Sequence, residues 1–339
     1  LASSRLPGEG GMLGSSTACS RRLVPQPQGR WPRAWQLALL GTAAVAAEAP
    51  PAADYDPSVG RAFAALSEAA YCKEKEVSAW SCPPCREAGL RIVPGSMRFI
   101  RQSELGQPNS TSLYIARLDG PEPFVDGCII ASRGSVTATN WIRDLQAWEG
   151  PVPFEQCAGC KVEVGFAKIW KKVEPLVVAS LTEIGCVPRQ AAGAGPAGSL
   201  AGSTSAVHVT GHSLGAALST LAAFTLAKQG FDVRSSYVYE SPRVGNRAFA
   251  EAFEAIVHES TPVYHITYGR DPVPHLPPRF LGYKHVAHEV YYNPKGEYVV
   301  CEGSEDHMCA DRSALLPDLF HAGDHCKSPL VASGNICSC

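Results

Sequence analysis

The chain has 339 residues, 30 Lys and Arg against 32 Asp and Glu, a net charge of −2 and 45% hydrophobic residues. That is enough apolar chain for one large or two ordinary globular domains. The balanced charge, with no basic run, argues against a nucleic-acid partner.

Residues 1–30 are rich in Gly, Ser, Pro and Arg, and Met12 is a candidate start. RWPRAW then gives a positive flank to the apolar run Leu37 to Ala47, and Ala44-Val45-Ala46 resembles a cleavage site. Residues 1–47 therefore read as a leader with a secretory signal peptide, leaving 48–339 as a single domain. The apolar run is too short to span a bilayer, and no other stretch is long enough. Thirteen cysteines fit an oxidising compartment. Twelve remain once Cys19 leaves with the leader, an even number, so disulfides are expected. Zinc at the C-x-x-C pairs Cys82/Cys85 and Cys157/Cys160 is the weaker reading. Asn109-Ser110-Thr111 is a glycosylation sequon.

Ser58 to Tyr71 has helical spacing. Met97 to Ile100 and Ser112 to Arg117 are expected strands, and Gly127 to Ser132 is a buried strand ending at Arg133-Gly134-Ser135. In Ser135 to Trp148, the residues Trp141, Ile142, Leu145 and Trp148 share one face of a short helix. That face belongs either to an ordinary core-facing helix or to a movable lid that meets lipid when open. Val162 to Phe166 reads as strand and turn, followed by a helix through Ile184. Pro188 to Ser205, made of Gly, Ala, Ser and Pro, reads as a flexible surface insertion.

Val207 to Gly230 carries the chemistry. A short strand leads into Gly211-His212-Ser213-Leu214-Gly215, and an Ala/Leu-rich helix follows to Lys228. A strand, a sharp turn with Ser at its tip and a helix make a nucleophile elbow. Leu214 would offer its N–H to an oxyanion at the helix N-terminus. Beyond it come a strand at Ser236 to Glu240, a helix at Asn246 to Val257, a strand at Val263 to Tyr268, and a hairpin of Glu289 to Tyr292 with Glu297 to Cys301. Alternating strands and helices predict an α/β fold with a mostly parallel central sheet.

A serine hydroxyl needs a base, and the base needs an acid to orient it. Asp271 follows the strand at Val263 to Tyr268, where such an acid belongs, and Glu240 is the rival. For the base, His275, His285, His288, His307, His321 and His325 all lie later in the chain, and spacing does not choose among them.

Six blocks over residues 58–337 resemble the fungal-type, class 3 triacylglycerol lipases. They are AYC…WSCPPC, IIASRGS…NWIRDL, KVEVGF, VTGHSLGAALS, SPRVGN with RDPVPHLPP, and GDHCKSPLVASGNIC. The resemblance implies an α/β-hydrolase with helices on both sheet faces and a short helical lid. Ser213 would be the nucleophile, Asp271 the acid and His325 the base. Ser135 would join Leu214 in the oxyanion hole, Asp144 would steady the Ser135 hydroxyl, and Ser135 to Trp148 would be the lid. The implied disulfides are Cys72–Cys337, Cys82–Cys85 and Cys301–Cys309, with Cys157–Cys160 as an addition of this chain. Glu240 stands where the family usually has Gly, the tail after His325 is less apolar, and 188–205 has no counterpart. The implied activity is hydrolysis of acylglycerol esters by a secreted monomer at a lipid–water interface, with no cofactor and no metal. Phospholipase A1-type or feruloyl esterase activity is the alternative, and a non-catalytic lipid-binding protein on the same scaffold is a weaker one.

Overall fold

The computed structural model describes residues 55–101, 112–135, 151–191, 202–257, 261–286, 288–301, 303–312 and 318–339. The chain divides into two units, 1–48 and 49–339. The first, which holds the expected leader, lies outside the described residues. The second opens with helices α1 (Pro57–Ala69), α2 (Glu74–Ser78) and α3 (Pro83–Glu87). Strands β1 (Arg91–Ile92), β2 (Arg98–Ile100), β3 (Leu113–Asp119), β4 (Cys128–Ser132), β5 (Val152–Pro153) and β6 (Lys161–Val162) follow. After these come α4 (Val164–Glu183), β7 (Ala206–His212), α5 (Leu214–Lys228), β8 (Asp232–Tyr239), β9 (Gly245–Asn246) and α6 (Arg247–Ile256). The last strands are β10 (Val263–Tyr268), β11 (Tyr283–Lys284), β12 (His288–Tyr292) and β13 (Tyr298–Val300).

The main sheet runs β1-β3-β4-β7-β8-β10-β12-β13, with β2 also on β3. Its centre is parallel, β4 to β7 to β8 to β10 to β12, and its edges are antiparallel. A parallel sheet needs cover on both faces, and the alternation in β3 and β4 supplies it. Leu113, Ile115 and Ile130 pack with Trp170, Val173 and Val177 of α4 and with Phe249 and Phe253 of α6. Tyr114, Ala116, Ile129 and Ala131 face the other way, onto Phe63 and Leu66 of α1. Helices thus cover both faces, as the resemblance implied. Among the described residues no helix is long and apolar enough to cross a membrane.

Several boundaries differ from expectation. The strand expected over Val162 to Phe166 is only Lys161–Val162, and α4 starts at once at Val164. The Glu163 carboxylate ends the strand by accepting from Phe166 N–H at 2.8 Å, which caps the helix. Strand β7 runs on through Gly211 and His212, paired with Val238 and Tyr239, so the elbow is the end of a central strand. The insertion at 188–205 is tied at both ends, where Thr204 bridges Cys186 and Arg189 pairs with Asp232. Trp141, Ile142, Asp144, Leu145 and Trp148 lie outside the described residues, as does Asn109.

One expected disulfide is corrected. Cys72 pairs with Cys339 and not with Cys337, which pairs with Cys326. The tail folds back on itself, with Lys327 bridging Asn335 and Ile336 N–H donating to Cys326 C=O at 2.9 Å. That turn sets Cys337 beside Cys326 and leaves Cys339 to reach Cys72. Cys82–Cys85 and Cys301–Cys309 pair as the resemblance implied, and Cys157–Cys160 and Cys128–Cys186 complete the set. With all twelve joined, neither C-x-x-C offers a thiolate to zinc.

Helix α5 is buried from Leu214 to Leu226, covered all round instead of along one stripe. It lies against β4 at its first turn. A Cβ on Gly215 would collide with the Ser132 carbonyl, which is backbone that cannot swing aside. Gly215→Ala is therefore expected to lower the melting temperature by about 5 °C or more, from ~2 kcal/mol of overpacking. Gly303→Ala, with open space around its Cβ, should leave the temperature unchanged. Thermal unfolding of the two variants checks this.

Candidate active site

The carboxyl edge of the central strands gathers three distant segments. Ser213 sits between β7 and α5 with φ +60° and ψ −127°, a left-handed backbone for a non-glycine residue. Its N–H donates to Tyr239 C=O at 2.9 Å, and Ala216 N–H donates to its carbonyl at 2.9 Å, which hold the strained turn. Asp271 follows β10 across Gly269, whose φ of +60° lets the chain turn. His325 caps the short 3-10 segment Leu319–Asp324. It is followed at once by Cys326, whose disulfide to Cys337 ties this loop to the tail.

The three side chains form one chain of hydrogen bonds. Ser213 Oγ lies 2.8 Å from His325 Nε2, and Asp271 Oδ2 lies 2.7 Å from His325 Nδ1. Carboxylate oxygen only accepts, so Nδ1 carries the hydrogen and Nε2 is left to accept from the Ser213 hydroxyl. All three residues are buried. Val273 N–H donates to Asp271 Oδ1 at 2.9 Å. Burial raises the Asp271 carboxyl, but the charge and hydrogen bond of His325, together with hydrogen bonds from Glu240 and Val273 N–H, hold the acid below its usual range. Of the six histidines that spacing left open, the fold brings His325 to Ser213. Among the others, His275 pairs with Asp318 and His285 Nε2 donates to Pro274 C=O.

A second chain of hydrogen bonds supports the first, and sequence reasoning did not find it. His212 Nε2 lies 2.8 Å from the His325 carbonyl, and its Nδ1 lies 2.8 Å from the Tyr71 hydroxyl. A carbonyl only accepts, so Nε2 carries the hydrogen and Nδ1 accepts from Tyr71 O–H. The Tyr71 oxygen in turn accepts from Gly134 N–H at 3.1 Å. Burial drives His212 down to about 3, which keeps the ring neutral as this tautomer requires. Tyr71 belongs to the AYC block and His212 is the variable residue of G-x-S-x-G. Their partners are 141 and 113 residues away along the chain, so no local pattern could join them.

The Arg133-Gly134-Ser135 loop packs directly on the elbow. A Cβ on Gly134 would come within 2.9 Å of Ser213 Cβ and 2.8 Å of His212 C=O. Leu214 opens α5, so its N–H is among the first-turn donors that have no acceptor within the helix. Together the loop and the helix start bring backbone donors toward Ser213. A serine hydroxyl, an imidazole and a buried carboxylate beside such donors are the parts needed for acyl transfer.

Residues 129–281 match the family described as Lipase (class 3). The chain is 31% identical over 281 residues to secreted mono- and diacylglycerol lipase 1 of Fusarium solani, covering 78% of this chain and 75% of that protein. It is 35% identical over 163 residues to secreted mono- and diacylglycerol lipase A of Penicillium cyclopium, covering 48% of this chain and about half, 47%, of that protein. Its fold is similar to that of the Rhizomucor miehei lipase propeptide complex, with a TM-score of 0.63 at 26% identity over 83% of this chain and 81% of that one. The parallel sheet, its two helical layers and these likenesses make the chain a member of the class 3 lipases, carboxylic ester hydrolases with the α/β-hydrolase fold.

Proposed function

We propose that the protein hydrolyses acylglycerol esters through an acyl-serine on Ser213. His325 Nε2 takes the Ser213 proton as Oγ attacks the ester carbonyl, and Asp271 holds the imidazole in the tautomer that can accept it. The N–H groups of Leu214 and Ser135, with the Ser135 hydroxyl, bind the oxyanion of the tetrahedral intermediate, and Asp144 steadies that hydroxyl. His325 then returns the proton to the leaving glycerol oxygen. A water, deprotonated by the same nitrogen, releases the fatty acid and regenerates Ser213. The observation that carries this reading is the unbroken Ser213–His325–Asp271 chain at 2.8 and 2.7 Å.

Acylglycerols are favoured by the named substrates of the Fusarium and Penicillium relatives and by apolar surface around the site. Phe320, five residues before His325, is 90% exposed. The stretch whose spacing predicts a helix with Trp141, Ile142, Leu145 and Trp148 on one face would serve as the lid that exposes the site at a lipid surface. The signal-peptide pattern read from the sequence over 1–47 and the six disulfides support export from the cell, as do the two relatives named as secreted.

Long-chain mono-, di- and triacylglycerol emulsions should be hydrolysed faster than soluble short-chain esters. Activity confined to short or feruloyl esters would refute the acylglycerol assignment. Ser213→Ala should lower kcat by about a thousandfold or more; if it kept full activity, the nucleophile would be wrong. Tyr71→Phe removes the hydroxyl between Gly134 N–H and His212. It is expected to lower kcat by about tenfold with little change in KM, because the loop carrying Ser135 loses its anchor. Steady-state kinetics on one soluble ester resolves kcat from KM.

A further inference from the structure

Glu240 directly follows β8, and it is one of the places where the chain departs from the pattern of the family it resembles. Tyr239, just before it, accepts from Ser213 N–H at 2.9 Å, and Glu240's own N–H donates to Ile266 C=O of β10 at 2.9 Å. Glu240 has φ +50°, a left-handed backbone that an ordinary side chain adopts at a cost. It is 3% exposed. No N–H or hydroxyl reaches its Oε2, and the group that hydrogen-bonds its carboxyl is the carboxylate of Asp271. Two carboxylates cannot share a hydrogen bond unless one of them carries a proton.

The surroundings decide which one. Asp271, already placed by His325 Nδ1–H and Val273 N–H, is held ionised. The charged neighbours that act most strongly on Glu240 are three acids, Asp271 after β10, Glu289 of β12 and Asp324 before His325. His212 at the end of β7 and His265 and His275 on and after β10 are buried and held toward the neutral form, so they bring no compensating cation. Burial and then Asp271 push the Glu240 carboxyl well above its usual range.

We propose that Glu240 is a positioning residue, a neutral carboxylic acid whose O–H donates to the Asp271 carboxylate and so orients the acid that holds His325. The inference rests on the acyl-serine reading of the site. Ser213, His325, Asp271 and Glu240 then form a four-membered chain with one proton at each link. The added donor spreads the Asp271 charge and fixes the carboxylate against His325 Nδ1–H.

The test is the dependence of kcat/KM on pH for soluble ester hydrolysis, between about pH 5 and 9, in the parent and two variants. Glu240→Gln keeps a donor but cannot ionise. Activity within about threefold of the parent and an unmoved acid limb are expected. Glu240→Leu removes the donor. A loss of about tenfold in kcat with little change in KM is expected, with the acid limb shifted upward because Asp271 is left with its full charge. An infrared difference spectrum at about neutral pH should show a protonated carboxylic acid in the parent that is missing from Glu240→Gln. A downward shift of the acid limb in Glu240→Gln would overturn the proposal, since it would mean that Glu240 is an anion. So would parental kinetics in Glu240→Leu, or no protonated-acid band. If Glu240→Leu does not fold, the Gln profile and the infrared band decide alone. Ser213→Ala separates the two levels: an inactive Ser213→Ala with a parental Glu240→Leu refutes only the role of Glu240, whereas an active Ser213→Ala refutes the site itself.

Discussion

The approach of α5 to β4 is the contact on which the rest of the structure depends. Gly215 lies so close to the Ser132 carbonyl that no side chain fits between them. That closeness lets a fully buried helix start directly from the end of a central strand, with Ser213 bent into the left-handed region at the junction. The same contact fixes Arg133 to Ser135 relative to Ser213, because the loop continues from Ser132. The Arg133 to Ser135 loop, the start of α5 and Ser213 are thus held by main-chain packing. Main chain moves less than rotamers do, and stabilising a developing charge requires groups that are already in place.

Around that junction the interior carries many polar groups. His208, His212, His265, His275, His285 and His325 are buried, together with Glu240, Asp271, Glu289 and Asp318. In a low-dielectric interior such groups persist only when hydrogen-bonded, and then they hold one another strictly. Here the bonds run in two lines that meet at His325. One goes from Ser213 through His325 to Asp271 and, with the proton inferred on Glu240, one link further. The other goes from Gly134 through Tyr71 and His212 to the His325 carbonyl. The first line sets which ring nitrogen of His325 carries the hydrogen, and the second holds its backbone.

His325 comes from a part of the chain with little regular structure, a 3-10 turn and an irregular tail. Covalent ties replace the missing ladder. Cys326–Cys337 closes the loop beside the histidine, and Cys72–Cys339 fastens the tail to the segment after α1. Joining residues 267 apart stabilises the fold by about 5–6 kcal/mol in the chain-entropy account. The second tie begins one residue beyond Tyr71, so the tail and the tyrosine that supports His212 are anchored together.

Much of this was legible in the residues themselves. Period-two alternation and turn residues announced the strands, and G-x-S-x-G between a strand and an Ala/Leu-rich helix announced the elbow. The order Ser213 then Asp271 followed from strand ends. These are local properties, set within a few residues by sterics and burial. Other features were not legible, for a common reason. Which of six histidines faces Ser213, which cysteine Cys72 takes, that β7 extends to His212, and that Tyr71 and His212 support the site all depend on residues more than a hundred positions apart, or on a neighbouring strand. Glu240 shows the boundary most clearly. Its sequence position made it a rival acid, and only the packing of β8 against β10 turns it toward Asp271 and not toward His325. The sequence by itself determined the elements and the reactive residue types. The tertiary structure decided which of them share one buried space, because hydrogen bonds and pairing across that space are set by three-dimensional distance and leave no period in the chain.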